Sequence, residues 1–102
     1  MVARRWTARA DGPEQADAYL AHFNDAVRPE LESKDGFLGA TVERIANEHD
    51  VEIVVVSRWE SMEAIAAFAG DQVDVAVVAP EARAALSEFD ERVRHIELPA
   101  GD

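Results

Sequence analysis

The sequence has no cysteine, which excludes disulfides, thiolate metal sites, iron–sulfur clusters and a cysteine nucleophile. Cations are scarce as well: 10 Lys and Arg stand against 21 Asp and Glu, a formal net charge of −11. A chain of that charge repels phosphate backbones and anionic membrane surfaces, so neither nucleic acid nor membrane is an expected partner. No apolar run approaches the roughly 20 residues of a spanning helix, and no secretory core follows Arg4-Arg5, so the expected location is cytoplasmic. There is no G-x-S-x-G and no glycine-rich phosphate loop. The three histidines, His22, His49 and His95, lie on different segments without i, i+4 spacing, so no metal site is expected.

What is present suits one folded domain spanning residues 1–102, because 48% of the residues are hydrophobic, 30% are charged and no segment reads as a linker. Val2 to Ala10 reads as a first strand, ended by the turn signal Asp11-Gly12-Pro13. Pro13 suits a first helical turn, and Asp11 with Glu14 is expected to cap it. Ala16, Leu20, Phe23 and Val27 recur at helical spacing with Tyr19 and Ala26 beside them, and Pro29 is expected to disturb the helix end.

Phe37 to Ile45 and Val51 to Trp59 read as a hairpin joined by a polar turn at residues 46–50. In the second of these strands Val51, Ile53, Val55, Ser57 and Trp59 share one face, while Val54 and Val56 sit on the other. Both faces therefore need cover; helices supply one, and a second copy of the chain, packed sheet to sheet, is expected to supply the other. Ser61 is a good N-cap for a helix of about residues 62–69, stopped by Gly70. Propensity alone reads Asp71 to Ala79 as a strand. A short helix is expected from Pro80 to about Glu88, with Ala82, Ala85, Leu86 and Phe89 inward. Arg92 to Leu98 reads as the last strand and 99–102 as a frayed tail. The order is that of an α+β, ferredoxin-like βαββαβ domain with an antiparallel sheet.

Several stretches carry a resemblance: Gly36-Phe37-Leu38-Gly39, Ser57-Arg58-Trp59-Glu60-Ser61-Met62-Glu63-Ala64, Phe68-Ala69-Gly70, Pro80-Glu81-Ala82 and His95-Ile96-Glu97. With these the chain resembles the antibiotic biosynthesis monooxygenase domain family of the dimeric α+β barrel superfamily. The resemblance implies irregular or helical turns after the second helix, a homodimer through the sheet faces, and a cavity between sheet and helices. It also implies a cofactor-independent oxidation of a small aromatic or polyketide-like compound by O₂, in which the protein binds, deprotonates and excludes water. The best-known quinone-forming relative has an asparagine four residues before the tryptophan and a tyrosine six after it. Val55 and Ile65 stand there, and only Trp59 matches. That departure favours the alternative, a non-catalytic dimeric binding or stress-response barrel. Haem degradation is disfavoured, because no asparagine precedes Asn24, and Phe68 and Val78 stand near the positions of the tryptophan and histidine that branch uses.

On this reading His95 or His22 is the catalytic base, since an imidazole titrating near pH 6.5 accepts a phenol proton at neutral pH. Trp6, Trp59, Phe68 and Tyr19 line the substrate pocket, and no cofactor is needed. Trp59 has a competing role as a plug at the strand–helix corner. Arg4, Arg5 and Arg58, charges in strands that otherwise read as buried, are expected to pair with Glu43, Glu52 or Glu97 across the sheet or the subunit boundary, with an anionic ligand as the alternative.

Overall fold

Strands form where the two-residue period puts valine, isoleucine, alanine and tryptophan on one side, and the computed structural model, described here for residues 1–98, shows that side turned to the helices. The expected tail at 99–102 lies outside the described residues. Strand β1 (Val2–Ala10) is central, flanked by β3 (Val51–Trp59), which in turn pairs with β2 (Phe37–Ala46), all antiparallel. The far edge of β1 is covered by two short strands, β4 (Glu88–Phe89) and β5 (Arg94–Glu97). The order β2-β3-β1-β4/β5 is that of a ferredoxin-like fold. No helix among the described residues is long and apolar enough to cross a membrane.

The last strand, expected over Arg92 to Leu98, is shorter, at Arg94–Glu97, and an unexpected two-residue strand precedes it. Phe89 lies opposite Ala8 and Arg94 opposite Arg5, so two extra residues bulge out between them. Tertiary partners hold the bulge: Thr7 Oγ1 donates to Asp90 Oδ2 at 2.6 Å and the Ala76 N–H to the Glu91 carbonyl at 2.8 Å. Residues 71–79 form no strand, as the family resemblance implies, and touch the bulge through a single bridge between Val75 and Arg92. The following helix α4 (Pro80–Ala85) ends earlier than expected, and Phe89 belongs to β4 instead.

The first helix also departs from expectation. It starts as α1 (Pro13–His22) with Gly12 as N-cap and no side-chain cap, so Asp11 does not serve. It then widens into a π-helical turn at Phe23–Val27 and continues as α2 (Arg28–Glu32) past Pro29. The Arg28 N–H reaches back five residues to the Phe23 carbonyl, and Pro29, with no N–H to offer, follows where regular bonding has already been broken. Tyr19 is buried and Ala26 exposed, although the two were expected to lie together beside the stripe. The four-residue steps Tyr19, Phe23, Val27, Leu31 would drift by about 40° each on a regular helix, and the wider turn offsets that drift.

Helix α3 (Met62–Ala69) begins as expected, with the Ser61 hydroxyl accepting from the Ala64 N–H at 3.2 Å. Gly36 presses the entry to β2 against it: φ is 83°, and a Cβ there would stand 2.6 Å from that of Ala64. Trp59 is fully buried beneath this corner, edge-on to Phe37 and stacked on Phe68 at 5.5 Å.

Among the described residues none of the arginines Arg4, Arg5 and Arg58 makes the expected ion pair across the sheet of its own chain; the pairing expected across the subunit boundary involves a second copy. The long-range pairs run instead from Arg9 to Asp50 and from Arg44 to Asp17.

Candidate functional site

A cavity of about 620 Å³, open solvent at its mouth included, lies between the helix-facing side of the sheet and the first helix. Its floor is Arg4 and Trp6 of β1 with Val55 and Ser57 of β3. Its roof is Tyr19, His22, Phe23, Val27 and Leu31, brought to one side by the π-helical turn. Phe68 and residues 76–79 close the sides. Most of this lining is apolar or aromatic, the composition of a pocket that binds an organic ring and keeps water away.

Trp6 is fixed by its indole N–H, which donates to the Asp90 carbonyl in the β4–β5 bulge at 2.7 Å. Tyr19 packs on it at 5.9 Å and passes the aromatic wall on to Phe23. Burial pushes the Tyr19 phenol well above its usual pKa, with no charge or hydrogen bond opposing the shift, so its hydroxyl keeps its proton and is a donor. His22 Nε2 is buried and has no hydrogen-bond partner among the described residues. An orphaned buried polar atom costs stability unless something satisfies it, and the residue that carries this one lines the cavity.

A polar row crosses the sheet inside this apolar surround, because Ser57 pairs with Arg4 on one side and His95 with Arg4 on the other. Arg4 donates from Nη1 to the Val73 carbonyl at 2.6 Å and from Nη2 to the Val75 carbonyl at 3.1 Å. Its Nη1 also lies 3.1 Å from His95 Nε2, and its plane sits 5.9 Å from the Phe68 ring. His95 Nδ1 stands 3.3 Å from Asp74 Oδ1. Desolvation, then the Arg4 charge, depresses the His95 pKa, with Asp74 opposing. His95 is therefore neutral at pH 7, with Nε2 as acceptor and Nδ1–H toward Asp74.

Of the residues singled out from sequence, Trp6, Tyr19, Phe68 and His22 come together on the cavity wall. Trp59 lies behind Phe68 in the core, outside the wall. His95 stands one layer back, reaching the cavity only through Arg4. Ser57 on the wall was not among the expected site residues, and Arg4 was expected to pair with a glutamate, with an anionic ligand as the alternative. The available signal was register: each is a polar residue at a helix-facing position of an otherwise apolar alternation. Among the described residues no group of three or more His, Asp or Glu is placed to hold a metal ion.

No curated protein matches the sequence. Among solved structures, a monooxygenase from the gene ActVA-Orf6 of Streptomyces coelicolor, in complex with the ligand nanaomycin D, superposes with a TM-score of 0.65. The match covers 99% of this chain and 88% of that one at 21% identity, which shows a shared fold. The sequence profile described as antibiotic biosynthesis monooxygenase matches residues 5–85, and the chain belongs to that family.

Proposed function

We propose that the protein is a cofactor-independent monooxygenase that oxidises a small aromatic, polyketide-like phenol with O₂. Membership of the family supports a monooxygenase-type activity, and the cavity supports this version of it. The observation that carries the reading is His22, which lines the aromatic-walled pocket and whose buried Nε2 has no hydrogen-bond partner among the described residues. With its proton on Nδ1, the imidazole presents a lone pair to a phenolic hydroxyl. Removing that proton makes an electron-rich phenolate, delocalised onto the ring carbon that meets oxygen. One electron passes to O₂, the radical pair combines into a carbon-bound peroxide, and loss of water leaves a carbonyl. The proton held by His22 returns to the peroxide, so that in sum a phenolic C–OH, a ring C–H and O₂ become two quinone carbonyls and H₂O. Tyr19 and Ser57 donate hydrogen bonds to ring oxygens, and the apolar roof keeps water from quenching the anion.

The open face of the sheet fits the second half of this reading, a homodimer. Ala3, Val54 and Val56 form its centre, with exposed Ile96 at one side and Ile45 at another. Arg5, Arg58, Glu43, Thr7 and Thr41 lie among them on the same face, and a sheet face that mixes apolar residues with charges of both signs suits a second copy of itself.

The test incubates purified protein with an anthrone-type phenol under O₂ and follows quinone absorbance and oxygen uptake. A rate above the buffer blank, lost in His22→Leu, is expected; rates equal to the blank across a substrate panel overturn the proposal. Val55 in the cavity wall and Ile65 in the core, where the quinone-forming relative has polar residues, favour a second reading as a non-catalytic binding barrel. That reading predicts saturable binding of the same phenols with no turnover.

A further inference from the structure

Arg4 is the one charged side chain among the described residues that is buried, at 6% exposure. Taking a guanidinium out of water costs several kcal/mol unless an anion and further hydrogen bonds compensate. Its contacts here are all neutral: two backbone carbonyls and the imidazole of a His95 that accepts. Asp74 acts on it only at a distance, since its carboxylate turns to His95 and is largely exposed. A guanidinium carries five N–H donors. Two on Nη1 and one on Nη2 are engaged, which leaves the Nε–H and one Nη2–H on a residue that lines the cavity. A pair of adjacent donors on one positive plane matches the two oxygens of a carboxylate. In a chain with a net charge of −11, a buried cation without a contacting counter-ion among the described residues is a specific feature against a background that repels anions.

We infer that the cavity takes an aromatic ligand bearing a carboxylate, which Arg4 binds while His95 fixes the plane of the guanidinium. The ring lies against Phe68, Trp6 and the roof. His95 is a positioning residue, because its neutral Nε2 holds Nη1 and so keeps the free edge of Arg4 turned to the cavity. As a statement about substrate the inference rests on the oxidation proposed above; as a statement about binding it rests on the cavity alone.

The probe pair is 1-naphthoate and 1-naphthamide, which share a shape and differ in charge. Binding to the intact protein is measured by calorimetry at pH 7.5 and moderate salt, without turnover. Wild type is expected to bind the acid at least about tenfold more tightly than the amide, the size of a charge-assisted hydrogen bond. Arg4→Gln is expected to erase that preference. His95→Leu is expected to reduce it, and His95→Gln, which keeps an acceptor, to retain most of it; equal retention in both overturns the positioning role. Because Arg4→Gln also removes the bonds to residues 73 and 75 and can fail to fold, the wild-type comparison decides by itself. Equal affinities for acid and amide, or no binding of either up to about 1 mM, overturn the subsite. An acid preference without quinone formation from any phenol sinks the oxidation and keeps the subsite, whereas quinone formation with equal affinities does the reverse.

Discussion

The indole N–H of Trp59 donates to the hydroxyl of Ser57, 2.9 Å away and two residues earlier on β3. Both side chains face the helices, but Trp59 is sealed under α3 while Ser57 reaches the cavity. The bond thus ties the packing corner to the site. With its oxygen accepting from the indole, the Ser57 hydroxyl has its own hydrogen left to donate, and the cavity is the side open to it.

Ser57→Ala is therefore expected to act twice. It orphans a fully buried indole N–H, which costs about 1–3 kcal/mol in urea or thermal unfolding. It also removes a donor from the cavity floor. Trp59→Phe, which deletes the other partner, should leave Ser57 free and disturb ligand binding less than Ser57→Ala does. Equal stability of Ser57→Ala and wild type would show that the indole finds another acceptor.

His22→Leu separates stability from activity. An unsatisfied buried nitrogen is a burden, and an apolar side chain of similar size removes it. Thermal unfolding should show the variant at least as stable as wild type. Oxidation of the phenol should fall by about a hundredfold or more, the usual contribution of a positioned base. A variant that loses stability and keeps its rate would assign His22 to the core instead.

Much of this was legible in the sequence because local and global signals agree. The alternation in β3 and the Ser61 cap preceding an apolar stripe each state one structure. The wide turn at Phe23–Val27 was not legible. No glycine marks it, and what favours it is the cavity-facing series Tyr19, Phe23, Val27, Leu31, whose even steps fit a regular helix only loosely. Nor was the break at Asp90–Val93, which carries no turn signal and is held by Thr7, Trp6 and Ala76 from distant parts of the chain. The neighbour of Arg4 across the sheet, His95, was missed for the same reason. Strand period gives the face of a residue, and only the register of β5 puts His95, rather than a glutamate, beside it.

The depressed pKa of His95 makes stability depend on pH with a definite sign. Its folded value lies below the ordinary 6.5, so at mildly acidic pH the unfolded chain binds more protons than the folded one. The stabilisation is complete above about pH 6.5 and is lost as pH falls through the lower, folded value. Midpoint temperatures measured from pH 8 down to pH 5 should stay level and then decline. His95→Gln, which cannot titrate, should flatten the upper part of that decline, above the range where exposed carboxylates protonate. Parallel curves for the two proteins would mean that protonated His95 is accommodated without loss.

The proposed dimer is tested most directly at Val56. It sits on the open face of β3 with Arg5 beside it on β1 and Thr41 on β2. In Val56→Glu the new carboxylate lies next to the Arg5 guanidinium at the surface of a lone subunit, so the fold tolerates it. Pressed against the same face of a second copy, two such carboxylates and their arginines are desolvated together, at a cost of several kcal/mol. Sedimentation velocity should find wild type dimeric at micromolar concentration, and Val56→Glu shifted to monomer with at least about a hundredfold weaker association. The cavity opens on the opposite side of the sheet, so naphthoate binding by the monomeric variant should remain close to that of wild type. A wild-type chain that sediments as a monomer at these concentrations removes the dimer from the proposal.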